Sequence, residues 1–173
     1  MNISRDFLLN NIFSQWTKCK NNHIYLENIS DRQLYFPSYN INDINKKTLY
    51  IDNCNNIELY VNNKINHIIL IHCENINLYI SSGLISGLDI LHGKNINVFI
   101  YNDGINFSEI SNSDDCNYYY FIDDNNFYVN TNYCYNIKFT TNNKNIMTNK
   151  SLFSQKKYYI INNNDIICIN DNE

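Results

Sequence analysis

The chain has 173 residues and a mass of 20.6 kDa, is 44% hydrophobic, and carries a formal charge of −4 with a pI near 5.5. That length suits one domain with a sizeable core, and the acidity excludes the basic surface a nucleic-acid binder needs. Neither a secretory leader nor an apolar run of about 18 residues is read in it, so a cytoplasmic protein without a membrane span is expected.

Residues 2–17 (NISRDFLLNNIFSQWT) place Ile3, Phe7, Ile12, Phe13 and Trp16 at helical spacing, with Ser4 and Asp6 suited to a capped start. The spacing predicts an amphipathic helix, and residues 1–22 are assigned to an N-terminal cap. Its expected role is to cover the raw end of a stack of strands. A partner-docking helix is the other reading, but a membrane-surface helix would need a cationic polar face that is missing here. Residues 23–36 (HIYLENISDRQLYF) alternate with period two and supply a first, irregular coil; residues 38–47 read as a polar linker.

From there the chain repeats itself: TLYIDNCNNIELYV (48–61), HIILIHCENINLYI (67–80), GLDILHGKNINVFI (87–100). The offsets are 73 − 54 = 19 between Cys54 and Cys73, and 93 − 73 = 20 between Cys73 and Gly93. In that register Leu49, Ile68 and Leu88 coincide, as do Ile51, Leu70 and Ile90. So do Ile57, Ile76 and Ile96; Leu59, Leu78 and Val98; and Val61, Ile80 and Ile100. Columns spaced by two within a coil mark strands with one buried face, and a repeat of about 20 residues suits one turn of a solenoid. The fold class expected is all-β: a right-handed parallel β-helix over residues 23–145.

Asn56, Asn75 and Asn95, continued by Asp115 and Asn136, share a corner column. Asn tolerates the left-handed backbone of a corner, and stacked amides bond from coil to coil. On the solvent side of the second strand run Tyr60, Tyr79, Phe99 and Tyr119, beside Glu58, Asn77, Asn97 and Asn117. Aromatics in line suggest a covered face: under the helix or hairpin, at a dimer seam, or against a partner.

Beyond Ile100 the repeat loosens, with Cys116, Tyr118 and Tyr120 falling in the columns of Ile96, Val98 and Ile100. Residues 127–140 (FYVNTNYCYNIKFT) form another coil with Ile137 and Phe139 inward. In the tail, 146–173, KKYYII (156–161), NNND (162–165) and IICI (166–169) read as strand, turn and strand. A lone hairpin is not stable in water, so this one adds to its own β-helix or to a second copy.

Catalytic patterns are missing. Polysaccharide-cleaving β-helices need clustered carboxylates on one sheet; here Asp114-Asp115 and Asp123-Asp124 are adjacent pairs suited to turns. His72 and His92 could stack one coil apart, but no third metal ligand accompanies them. Cys19, Cys54, Cys73, Cys116, Cys134 and Cys168 contain no C-x-x-C pair. Cys54 and Cys73 stack closely enough for a disulfide, although reduced corner residues are expected without export. The expectation is a chain with no catalytic residue, no cofactor and no metal.

The run from Leu49 to Ile100 resembles the C-terminal β-helical domain of cyclase-associated proteins, an actin-monomer-binding family. The family's N-C corner, K-I-N-x-I link and V-x-I-I-x-x-K-x-V-x-V coil are met by Asn53-Cys54, Lys64-Ile65-Asn66 and Leu88 to Val98, with Lys94 on the family's lysine. Ser113 to Tyr120 is similar to its D-G-C-H-x-Y coil, and YYIINNNDIICI to its closing hairpin. The resemblance spans residues 45–170, while the first 40 residues match poorly. It implies a non-enzymatic domain that binds monomeric actin, with Tyr60, Lys64, Tyr79, Asp89 and Lys94 as candidate contacts. It also implies a homodimer made by exchanging the hairpin, through Tyr158, Tyr159, Ile160, Ile161, Ile166, Ile167 and Ile169. A structural or assembly protein, such as one of a large DNA virus, that keeps the scaffold without binding actin is the alternative. The fold also resembles tubulin-binding cofactor C, whose Q-x-R-x-H arginine promotes GTP hydrolysis. Ile90 stands where that arginine would be, and the chain's arginines are Arg5 and Arg32.

Overall fold

The computed structural model describes residues 17–36, 43–102, 104–122, 126–142, 147–149, 157–161 and 166–170. In chain order the strands are β1 (Thr17–Lys20), β2 (His23–Glu27), β3 (Ser30–Phe36), β4 (Thr48–Asp52), β5 (Asn55–Val61), β6 (Ile65–Ile71), β7 (Glu74–Ile80) and β8 (Leu84–Leu91). They continue as β9 (Lys94–Ile100), β10 (Phe107–Ser111), β11 (Asp114–Tyr120), β12 (Phe127–Asn132), β13 (Ile137–Thr141), β14 (Met147–Asn149), β15 (Lys157–Ile161) and β16 (Ile166–Asn170). Helical structure among the described residues is confined to a single 3-10 turn, Ile44–Lys46.

Each coil gives one strand to each of two sheets. The first sheet runs β1-β2-β4-β6-β8-β10-β12-β15-β16, and the second β14-β13-β11-β9-β7-β5-β3. From β2 to β12 in the first sheet, and from β3 to β13 in the second, every neighbouring pair is parallel. This is the parallel β-helix that the repeat predicts. Ile57, Ile76 and Ile96 pair in register, as do Leu59, Leu78 and Val98, and Val61, Ile80 and Ile100. All nine are buried. Aliphatic columns directly over one another form a dry core in which β-branched side chains fit the pleat.

The corner between the two strands of a coil turns twice. Asn53 and Asn56, His72 and Asn75, and His92 and Asn95 all have φ between 51° and 56°, bracketing a two-residue link. The same pairing recurs as Asn28 with Asp31, Asn112 with Asp115, and Tyr133 with Asn136. Left-handed backbone is tolerated by Asn, Asp and His far better than by bulky residues, which accounts for most of both columns. The inner member of the link is buried: Ile29, Cys54, Cys73, Ser113 and Cys134. The expected amide ladder forms in part: Asn95 Nδ2 donates to Asn75 Oδ1 at 2.7 Å and Asn136 Nδ2 to Asp115 Oδ1, but Asn75 Nδ2 donates to Asn55 Oδ1 at 3.1 Å instead of to Asn56.

One residue of slack separates the 19- and 20-residue offsets, and β8 absorbs it. Ile65 pairs with Leu84 but His67 with Gly87, a bulge. Gly87 has φ 103°, and a Cβ there would lie 2.5 Å from the Phe107 carbonyl oxygen. Only glycine meets both conditions.

Volume is balanced across the interior. Where the second sheet inserts the large Tyr118, the first offers the small Ser108, whose hydroxyl lies 2.8 Å from the Tyr118 hydroxyl and donates to the Leu88 carbonyl at 2.7 Å. A buried phenol with a partner costs little; without one it would be expensive.

Antiparallel strands finish the solenoid. β1 pairs with β2, β14 with β13, and β15 with β12. Of the helix expected over residues 2–17, residues 2–16 lie outside the described residues, and Thr17 opens a strand rather than ending a helix. That part of the assigned cap, Thr17–Lys20, is thus β-structure: as an antiparallel neighbour it pairs with the backbone groups of β2. At the other end β15 and β16 form the expected hairpin, and within this chain it adds to its own β-helix. Tyr159 and Ile161 enter the core opposite Val129 and Phe127, while Ile167 and Ile169 on β16 are 46% and 47% exposed.

Column position sets the cost of a substitution. Leu78→Ala, in the central column, is expected to lower unfolding stability by about 2–5 kcal/mol, whereas Ile85→Ala, at a site 56% exposed, should stay within about 0.5 kcal/mol. Urea titrations of both variants check this.

Candidate functional site

Period two leaves the outward side chains of the second sheet in columns as regular as the core. Tyr35, Tyr60, Tyr79, Phe99 and Tyr119 form one continuous stack: successive ring centroids lie 4.7, 4.5, 4.7 and 4.6 Å apart, with interplanar angles of 7–10°. The strand spacing of about 4.8 Å imposes that distance, since in-register rings on parallel strands can only stack face to face. Ring faces are therefore covered and ring edges, with the hydroxyls, face outward. Each of the five is half-buried by its neighbours.

Two positions earlier runs a polar column of Gln33, Glu58, Asn77, Asn97, Asn117 and Lys138. Asn117 Nδ2 donates to Asn97 Oδ1 at 2.8 Å, and Asn97 Nδ2 to Asn77 Oδ1 at 2.9 Å. At the top, Gln33 Nε2 donates to Glu58 Oε2 at 3.0 Å, and the Tyr60 hydroxyl donates to the same oxygen at 3.3 Å. The face is thus a rigid plane, half aromatic edge and half amide. Its groups make hydrogen bonds and apolar contacts; it presents neither a nucleophile nor paired carboxylates. A pre-ordered plane of this kind binds with little side-chain entropy left to lose.

The structure brings together two of the five candidate contacts, Tyr60 and Tyr79, which are adjacent in the stack. Lys64 is exposed just beyond the C-terminal end of β5, and Lys94 opens β9 at the opposite edge of the same sheet, 3.3 Å from Glu74 Oε1. Asp89 lies on the first sheet, where its Oδ2 is 3.1 Å from His67 Nε2. His72 and His92 stack at 5.1 Å and 13°, and no group of three or more potential metal ligands occurs among the described residues. Ile90 is fully buried in a core column, so the position of the cofactor C arginine points into the solenoid. Arg32 is exposed on β3, the strand at the end of the second sheet; Arg5 and Asp123-Asp124 lie outside the described residues.

Sequence reading missed Tyr35. The signal was present in Gln33-Leu34-Tyr35-Phe36, which copies Glu58-Leu59-Tyr60-Val61, but the offset of 60 − 35 = 25 hides it. A second outward pair, Tyr101 and Phe121, stacks at 5.1 Å at the other corner.

Packing raises the hydroxyl pKa of Tyr60 and Tyr79 above the ordinary tyrosine value, desolvation first and the Glu58 carboxylate adding to it. The folded state therefore holds these protons to higher pH than the unfolded chain does. The stability they contribute is constant below about pH 10 and is lost as pH rises through the folded-state values. Phenolate absorbance should show this group ionising late in the native protein, and Tyr79→Phe should flatten the alkaline fall in stability.

No helix among the described residues is long and apolar enough to cross a membrane. A family model described as adenylate cyclase associated (CAP) C terminal matches residues 15–169. No curated protein matches the chain.

Proposed function

The chain belongs to the family of adenylate cyclase-associated protein (CAP) C-terminal domains, a protein-binding, actin-interaction family rather than an enzyme family, and from that premise we propose that it is a cytoplasmic, non-enzymatic domain that grips monomeric actin. The observation that carries this reading is the match over 155 residues (169 − 15 + 1), from β1's approach to β16, so that scaffold and closing hairpin are shared together. The contact surface assigned to actin is the aromatic and amide plane of the second sheet, centred on Tyr60 and Tyr79. Lys64 and Lys94 flank it at opposite edges. Asp89, on the other sheet, would serve a partner only as a separate patch.

Aromatic residues and amides suit such a contact, being rich in area and already fixed in place. Fluorescence titration with ADP-bound monomeric actin tests the reading. Saturable binding at or below tens of micromolar is expected, and none at that concentration removes it. Tyr60→Ala and Tyr79→Ala should each weaken binding about tenfold, roughly 1.4 kcal/mol.

The dimer is proposed on the hairpin. β15 adds to β12 by antiparallel pairing and brings Tyr159 and Ile161 into the core. An equivalent β12 in a second copy offers the same pairs, so exchange costs no contact. Tyr158, Ile160 and Ile166 travel with the hairpin, and exposed Ile167 and Ile169 give it an apolar outer strand. Deleting residues 156–173 should shift the light-scattering mass from dimer to monomer; a full-length protein already monomeric refutes the exchange.

A further inference from the structure

Two of the buried corner residues are cysteines in successive coils. Asn53 N–H donates to the Ile71 carbonyl at 3.0 Å and Glu74 N–H to the Cys54 carbonyl at 3.0 Å, so the backbone sets Cys54 directly over Cys73. Both residues are 1% exposed and reduced, and each thiol donates to backbone carbonyls, Cys54 to Asp52 and Cys73 to Ile71, both at 3.3 Å. Cys73 Sγ also reaches back into the coil of Cys54, to the Ile51 carbonyl at 3.3 Å. On the other side of Cys73 the column continues as Gly93, which offers no side chain. A Cβ there would lie 2.5 Å from Ile90 Cγ2, so the column narrows below the pair. Parallel strands stand about 4.8 Å apart, inside the Cα separation of roughly 4.4–6.8 Å that a disulfide spans.

We infer that Cys54 and Cys73 are a redox site: a small disulfide oxidant of the glutathione-disulfide class converts the pair into a covalent staple between two central coils. The Cys54 thiolate attacks one sulfur of the oxidant, forming a mixed disulfide and expelling one thiolate. The Cys73 sulfur then attacks Cys54 Sγ, forming the Cys54–Cys73 bond and expelling the second. Two protein thiols are oxidised, one disulfide is reduced, and the two protons leave on the two released thiols. Order of attack follows from the pairing: the neighbouring Cys73 thiol lowers the Cys54 pKa, while the Cys54 thiol and burial raise that of Cys73. Burial makes the reaction wait on local opening of the corner. The staple lies at the roots of β5 and β7, the strands that carry Tyr60 and Tyr79, and would fix those two coils to each other whatever partner the face takes.

The test is oxidation of the full chain with excess glutathione disulfide, in buffer and in sub-denaturing urea that permits local opening, followed by alkylation and peptide mapping. A Cys54–Cys73 linked peptide is expected, lighter than the sum of its parts by two hydrogens and reversed by dithiothreitol. A rise in Tm of roughly 5–10 °C should accompany it. Cys54→Ser and Cys73→Ser should each abolish both, and circular dichroism of each variant shows that it still folds. The proposal is overturned if both cysteines remain alkylatable in urea, if each instead keeps a separate glutathione, or if the linked form melts earlier than the reduced one.

Discussion

Everything in this molecule depends on parallel strands stacking in register along one axis. When each residue lies over its equivalent in the next coil, a side chain that pairs well with itself is favoured at every level. Aliphatics do so through dispersion and burial, Asn through amide-to-amide hydrogen bonds, and aromatic rings through face-to-face packing at a distance set by the strands. Ile57 over Ile76 over Ile96 inside, and Tyr60 over Tyr79 over Phe99 outside, obey one rule on opposite faces of the same sheet. Core and surface are consequently specified by the same repeat.

The rule has a cost at the corners and at the ends. A tight corner needs left-handed backbone, and this chain meets it with Asn, Asp and His rather than glycine. His72, His92 and Tyr133 are the exceptions to an amide-rich column. Among the described residues Gly87 alone takes a backbone with φ beyond 100°, where the extra residue of the lengthened repeat must be hidden. At three of the four sheet ends the chain turns antiparallel, in β1, β14 and the β15–β16 hairpin, while parallel β3 stands at the fourth. β16, at the outer edge of the first sheet, exposes Ile167 and Ile169.

Membership of an actin-binding family and a plane of pre-stacked aromatics bear on one another through rigidity. Side chains already fixed by neighbours above and below lose little freedom on binding, so a surface of ring edges and amides can serve recognition without any chemistry. The half-buried tyrosines and the Asn97–Asn77 bond are features of stability first. Their use as a contact surface is an addition to a role that the stacking already explains.

The sequence by itself determined the class of fold, its register and most of the outer columns, because a period of two within a repeat of 19 or 20 residues has one structural solution. Cys54, Cys73, Asn75 and Tyr79 could be placed from spacing alone. Tyr35 could not, since residues 37–47 break the interval that would have revealed it; of the first corner column, spacing placed His72 over His92 but not Asn28, Asn112 or Tyr133. Tertiary structure decided which candidates share a face: it put Asp89 beside His67 on the other sheet and left Tyr60 with Tyr79. It also decided that the tail closes on β12 and that Ser108 yields room to Tyr118. Those facts depend on contacts between residues of unrelated sequence position, where no repeat carries the information and only the packed coil brings the partners together.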